Sequence, residues 1–392
     1  MKTISNSLPL LMAWLAPVLF AAVALGADRA SGNDYLAYIG TYTQKNSKGI
    51  YVFRLNSSTG KLTPLGLAAE TTSPSYLAIH PNHRFLYAVA EVNNFGGQKS
   101  GAVSAFSIDR STGKLTLLNQ VSARGSGPCH VMVDPTGKTL LVANYDSGSV
   151  AALPVGQDGR LREASAAIQH HGTSVNPERQ EGPHAHCINN SPDNRFVLAA
   201  DLGLDQVLVY RFDPARGSLA PNDPPFGKTP PGAGPRHFAF HPNGRFVYVI
   251  NEIQCTASTF SYDAQRGALK LLATVSTVPK DYKVTKDDST AEIRVHPSGK
   301  FVYGSNRGPD SIAVFSVDST TGTLHPIEYV STQGKTPRGF NIDPTGSYLI
   351  AGNQDSDSLV VFRIDQKTGR LTPTGQKLEA YAPVDVEFVA VK

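Results

Sequence analysis

The sequence predicts an all-β fold: one seven-bladed β-propeller with four antiparallel strands per blade. Three observations carry the prediction. A strand–turn–strand hairpin returns six times along the chain, a second kind of turn returns between the hairpins, and two incomplete units near the ends complement each other.

The hairpin is plainest in GPRHFAFHPNGRFVYVINE, which begins at Gly234. Arg236 to His241 reads as a strand, Pro-Asn-Gly as the turn, and Arg245 to Asn251 as a second strand. The same grammar starts at Pro74, Pro128, Pro183, Ala291 and Pro337. Its marker prolines are Pro81, Pro135, Pro192, Pro242, Pro297 and Pro344, spaced by about 47 to 57 residues, the period of propeller blades. The residues just before them, His80, Asp134, His241, His296 and Asp343, are expected to be turn formers, since His and Asp interchange there.

Within the unit from Gly234, a third strand follows at Ala257 to Tyr262 and a fourth at Leu269 to Val275. The turn between third and fourth strands recurs as NSSTGKL, DRSTGKL, DAQRGAL, DSTTGTL and DQKTGRL. Asn or Asp opens each by bonding its own backbone, and Gly supplies the positive φ. Near the start of the chain, YLAYIGTYT from Tyr35, GIYVFRL and KLTPLGL fit second, third and fourth strands of a unit with no first strand. APVDVEFVAVK from Ala382 fits a first strand with nothing after it. Joining the two makes the seventh blade and closes the ring, so residues 34–392 are expected to form one domain. The abundance of Gly (35) and Pro (27) suits many short strands and tight turns.

Residues 1–26 read as a secretory signal peptide. Lys2 is followed by an apolar stretch from Leu8 to Leu25 and then by small residues, which places cleavage after Gly26 or Ala27. Export to the periplasm or the medium follows, with no membrane attachment after cleavage. Cys129, Cys187 and Cys255 are too few for a disulfide framework and are expected as small buried side chains. A net charge of +4 without any Lys/Arg run gives nucleic acid no footing. A monomer acting on a small molecule is expected.

Antiparallel pairing puts the start of a first strand beside the end of the second. In a propeller the first strand is innermost, so these positions should meet at one mouth of the central channel. First-strand starts supply His130, His184, His186, Arg236, His237, Glu292 and Arg338; second-strand ends supply Glu91, Tyr145, Asp201, Glu252, Arg307 and Asn353. Imidazoles, guanidiniums and carboxylates at one opening make an acid–base site that can hold an anion. The long inter-blade segments His170 to Gln180 and Pro279 to Ser289 would wall the same face. The chain has no G-x-S-x-G, no H-E-x-x-H and no P-loop. His184 and His186 flank Ala185 and so suit one metal, but no carboxylate lies at a helpful spacing, and no metal or cofactor is expected.

The segments SGPCHVMVDPTGKTLLVANYDSGSV, EGPHAHCINNSPDNRFVLAADLG, GAGPRHFAFHPNGRFVYVINE, AEIRVHPSGKFVYGSNRGPDSIAVF and TPRGFNIDPTGSYLIAGNQDSDSL resemble the seven-bladed propeller lactonases. That family is typified by bacterial 6-phosphogluconolactonase and includes fungal carboxymuconate-cyclising enzymes. The resemblance implies metal-independent hydrolysis of a sugar-acid lactone. The residues it implicates are the His of GPHAH, the Arg of GPRH, the Glu of INE and the Arg of SNR: His186 (or His184), Arg236, Glu252 and Arg307. They coincide with the mouth positions reached from strand geometry. His130, His184, His237, Glu292 and Arg338 are then expected to bind substrate. Two alternatives stand beside this: a non-catalytic secreted propeller that binds a ligand or a protein, and a lactonising enzyme working in the cyclisation direction.

Overall fold

Each hairpin unit folds, with the strands that follow it, into a four-stranded antiparallel sheet, and the computed structural model holds seven such sheets. The structure describes residues 1–3, 34–43 and 46–391. The chain divides into two units, residues 1–31 and 32–392. Of the first, residues 1–3 are described and carry no strand or helix. The apolar stretch and the expected cleavage point lie outside the described residues.

The unit from Gly234 shows how closely pattern and structure agree. Its strands run Pro235–Phe240, Phe246–Asn251, Thr256–Asp263 and Ala268–Ser276. The shared blade also forms: Pro383–Ala390 pairs antiparallel with Asp34–Thr41, which pairs with Gly49–Asn56 and then Lys61–Glu70. One short 3-10 turn, Gln354–Ser356, is the single helical element among the described residues.

The second strands are buried on both faces, as Phe85–Ala90, Phe246–Asn251 and Tyr348–Asn353 show at every residue. They therefore read as near-continuous apolar runs. The apolar side chains between blades gather into seven clusters, one at each interface around the ring. Fully burying one Val or Leu side chain contributes about 1.5–3 kcal/mol, so each interface is a core of its own.

The turns add polar ties. His241 places Nδ1 at the Asn243 amide and Nε2 2.9 Å from the Gly299 carbonyl of the next blade. His80 does the same with Gly137 and His296 with Gly346. Asp134 and Asp343 accept the amides of their own turns. These five residues are turn formers, as the sequence suggests.

One irregularity positions the site. In six of the seven inner strands the ladder slips by a residue near the strand's start. Pro235 opposes Asn251 and His237 opposes Ile250, which leaves Arg236 as the extra residue of a β-bulge. Cys129, His186, Arg338 and Val384 occupy the same place in their strands. A bulge re-aims side chains that strict alternation would send to opposite faces. Here two consecutive residues face the channel, so Arg236 and His237 are both buried in it.

Candidate functional site

The bulges sort the channel into levels. An entry row holds Cys129, His186, Arg236 and Arg338. The next row holds Tyr76, His130, Cys187, His237, Glu292 and Asp385. Two residues further along, a third row holds Met132, Asn189, Arg294 and Glu387, all partly exposed.

At the entry row, charge converges on Glu252, just past the end of Phe246–Asn251. Arg236 Nε donates to its Oε2 at 2.9 Å, and Arg307 Nη2 lies 2.9 Å from the same oxygen. Arg179 Nη2 donates to Oε1 at 2.6 Å. Both inner guanidiniums are fixed by the neighbouring strand: Arg236 Nη1 donates to the Ala291 carbonyl at 2.6 Å and Arg307 Nη2 to that of Thr290 at 2.7 Å. Burial alone would raise the Glu252 carboxyl, but Arg307 and Arg236 together hold it well below the usual carboxylate range. Burial pulls Arg307 down to about 10.

His186 packs beside this cluster, its ring centroid 5.3 Å from Tyr145 and 5.1 Å from His237. Burial, then the Arg236 charge, pushes it well below the ordinary imidazole value, so it is neutral. On the other side of the mouth, Arg338 lies over the Tyr42 ring at 5.3 Å. The Tyr42 hydroxyl donates to both oxygens of Glu91 at 3.0 Å, and the Ser75 hydroxyl also donates to Glu91.

The second and third rows form another environment. Tyr76 stacks on His130 at 4.1 Å and meets His237 edge-on at 5.6 Å. His237 Nδ1 lies 3.0 Å from Glu292 Oε2. Arg294 bridges Glu292 and Glu387, with N–O distances of 3.5 and 3.8 Å. Burial raises the Glu387 carboxyl to about 7 and Asp385 well above its ordinary value, since each also repels its acidic neighbours. A cavity of about 310 Å³ is bounded here by Tyr76, His130, His237, Glu292, Arg294 and Glu387. Glu252, Arg307 and His186 do not line it.

The single mouth drawn from the sequence therefore divides in two. His186, Arg236, Glu252, Arg307 and Arg338 gather at the entry, with Tyr145 and Glu91. His130, His237 and Glu292 lie one level deeper, because the bulge turns consecutive residues to the channel at different depths. His184 stands aside: its ring stacks on Tyr145 at 4.6 Å, and its nitrogens face the Tyr145 carbonyl and Glu181. It therefore does not join His186 about a common ligand, and no group of three or more metal-ligating side chains occurs among the described residues. Asp201 and Asn353 are corrections. Each lies one residue before the mouth position and so faces the other way. Asp201 accepts the His184 amide and pairs with His170 at 2.6 Å, while Asn353 Nδ2 donates to the Thr332 carbonyl.

The segment from His170 to Gln180 does wall the entry, through Arg179. The segment from Pro279 to Ser289 borders Arg307 along an open groove of about 550 Å³ that also includes Asp310 and Lys335. Sequence reasoning missed Arg179, Tyr42, Tyr76, Arg294, Asp385 and Glu387. The last three had a signal in strand alternation, since AEIRV and PVDVE place each at a channel-facing position. The three cysteines are free and buried, as expected.

Known proteins resemble the chain over most of its length. A family model described as "Lactonase, 7-bladed beta-propeller" matches residues 36–388. A 6-phosphogluconolactonase of Bacillus subtilis (strain 168) is 39% identical over 298 residues, which cover 76% of this chain and 82% of that protein. One from Formosa agariphila is 35% identical over 301 residues, 75% of this chain and 82% of that protein. The solved structure of the periplasmic gluconolactonase of Pseudomonas aeruginosa matches with a TM-score of 0.85 at 35% identity, over 92% of this chain and all (100%) of that one.

Proposed function

The chain belongs to the seven-bladed β-propeller lactonase family, and from that premise we propose that it hydrolyses the lactone of a sugar acid at the entry of its central channel. Its enzyme class is that of the family, a carboxylic ester hydrolase. The observation that carries the site assignment is the convergence of Arg236, Arg307 and Arg179 on Glu252 beside a neutral His186.

Opening a lactone needs donors for the oxygen that becomes negative, a water, and a proton for the departing ring oxygen. Arg236 and Arg307 supply the donors. They are held in place before any substrate arrives, by Glu252 and by backbone carbonyls, and preorganised charge of this kind supplies much of the rate enhancement in many enzymes. Glu252 orders the guanidiniums; clamped by three of them, it is too weak a base to take a proton from water. Proton handling falls instead to the buried neutral imidazoles. His186 faces the cluster and hydrogen-bonds the ring oxygen as it leaves. Arg338 and Arg179 hold the polar substituents of the sugar, and the groove beside Arg307 gives the open chain room.

The N-terminal pattern and the periplasmic location named for the Pseudomonas aeruginosa relative both support export. N-terminal sequencing of protein recovered outside the cytoplasm is expected to start at Ala27 or Asp28; a start at Met1 overturns this part.

The decisive experiment is a pH-indicator assay of the mature protein against phosphorylated and plain sugar-acid lactones. Accelerated acid release from at least one is expected, with loss in Arg236→Ala and Glu252→Ala. Acceleration for none of them overturns the proposal and leaves the ligand-binding alternative. Full turnover in either variant removes that residue from the site.

A further inference from the structure

We infer that His237, oriented by Glu292, is the base that takes the proton from the attacking water. The inference rests on the lactone-opening reading above and adds a catalytic pair to it.

The geometry is that of a carboxylate–imidazole dyad. Glu292 Oε2 lies 3.0 Å from His237 Nδ1. A carboxylate only accepts, so Nδ1 carries the hydrogen, and this fixes the tautomer with the lone pair on Nε2. Glu292 is itself held in place: its Oε1 accepts the Ile293 amide at 2.9 Å and faces Arg294. Tyr76, His130 and His186 all meet the His237 ring edge-on, with centroids 5.6, 5.3 and 5.1 Å away, so the ring cannot easily turn.

Nε2 has no protein partner among the described residues, although the side chain is only 5% exposed. A buried lone pair without a donor is costly, and such groups call for a functional account. Other imidazoles in and around the mouth differ. His170 spends its nitrogens on Asp201 and Tyr210, and His184 on Tyr145 and Glu181. His130 faces the Cys187 thiol and the Ile188 amide. Among the described residues, only His237 combines a carboxylate on one nitrogen with a free lone pair on the other.

Its position suits the chemistry. His237 borders the cavity of about 310 Å³ and also a small one of about 10 Å³, shared with Arg236, Arg338 and Glu91. That is about the space one water needs. The base and the oxyanion donor Arg236 thus follow one another in sequence, both facing the channel because of the bulge. Burial pushes His237 well below the ordinary imidazole value, and Arg236, Arg294 and Arg338 push it the same way against Glu252. With the neutral His130 and His186 alongside, the free ring is unprotonated, and the Glu292 carboxylate at Nδ1 stabilises the imidazolium that forms as the water's proton arrives.

In the step itself, a water O–H bond breaks and its proton goes to Nε2 while the oxygen bonds to the lactone carbonyl carbon. The carbonyl electron pair moves to its oxygen, against Arg236. Collapse of this adduct breaks the bond between the carbonyl carbon and the ring oxygen. The imidazolium returns its proton to the ring oxygen, and the hydroxy acid then loses its own proton to solvent.

The test uses the full-length mature protein and a lactone the wild type turns over. His237→Gln and His237→Asn are expected to lower kcat about 10²–10⁴-fold with KM within about threefold, the usual range for a general base. Glu292→Gln acts through the imidazole and should lower kcat with KM unchanged, and Glu292→Asp should recover part of the loss. Thermal melts separate misfolding from chemistry. His237→Gly, if its melt is cooperative, should regain turnover with added imidazole. A wild type that opens lactones beside a His237→Gln variant with undiminished kcat overturns this inference alone. A wild type that opens none overturns the lactone reading and this inference with it.

Discussion

Glu252 accepts from three guanidiniums while being almost fully buried, so its removal strands positive charge. Arg236, 2% exposed, would keep only the Ala291 carbonyl. Breaking a buried pair in this way costs about 3–5 kcal/mol. Glu252→Ala should lower the free energy of unfolding by that order in a denaturant titration. Arg179→Ala should cost at most about 1 kcal/mol, because that side chain is 41% exposed. Its effect should fall on KM, as a several-fold rise. Two acids of the channel respond to pH in opposite senses. Glu252, held below its ordinary 4.5, stabilises the fold above that pH and loses the contribution as pH falls. Glu387, raised from 4.5 to about 7, binds a proton more tightly folded than unfolded. Its burial therefore costs more as pH climbs from 4.5 to 7. In thermal melts the Tm of Glu387→Gln minus that of the wild type should grow across this window and level off above it.

At the scale of single elements, turn glycines lock neighbouring blades. Gly322 has φ +73°, and a Cβ there would lie 2.5 Å from the Phe246 ring of the preceding blade, whose Tyr248 hydroxyl donates to the Gly322 carbonyl. Gly159 against Phe85, and Gly369 against Phe301, repeat the arrangement. Gly322→Ala forces a left-handed backbone on an L-residue, at about 1–2 kcal/mol, and adds the clash. A loss of more than about 2 kcal/mol in chemical denaturation is expected, and one below about 0.5 would show that the turn relaxes freely. The turns at Gly322 and Gly369 were plain in the sequence because each carries its own chemistry, Asp to open and Gly to close, whereas the one at Gly159 opens on Gly156 and lacks that signature. The strands were plain because their apolar runs are bounded by those turns. The bulges were not. Nothing in GPRHFAF marks Arg236 as an extra residue; the slip is visible only against Asn251 and Ile250 across the ladder. That is why His186, Arg236, Glu252 and Arg307 were legible as a converging set while the depth of His130, His237 and Glu292 was not. Arg179 was illegible for another reason, since it comes from an irregular segment whose path no periodicity constrains.

Over the whole molecule, the ring is joined by hydrogen bonds between Asp34–Thr41 and Pro383–Ala390. A chain ending at residue 382 would expose the edge of the first strand and the apolar faces that meet Val386 and Val389. It should become sensitive to proteolysis and lose the single cooperative unfolding transition expected of the uncut protein. The same eight residues also finish the channel: Asp385 accepts the Leu77 amide at 2.8 Å, and Glu387 meets Arg294. Blades can thus stack one upon another yet bound no complete channel until this last segment is in place. Fastening the circle and completing the wall of the cavity beside Arg294 are one event, so a chain that lacks the segment holds neither.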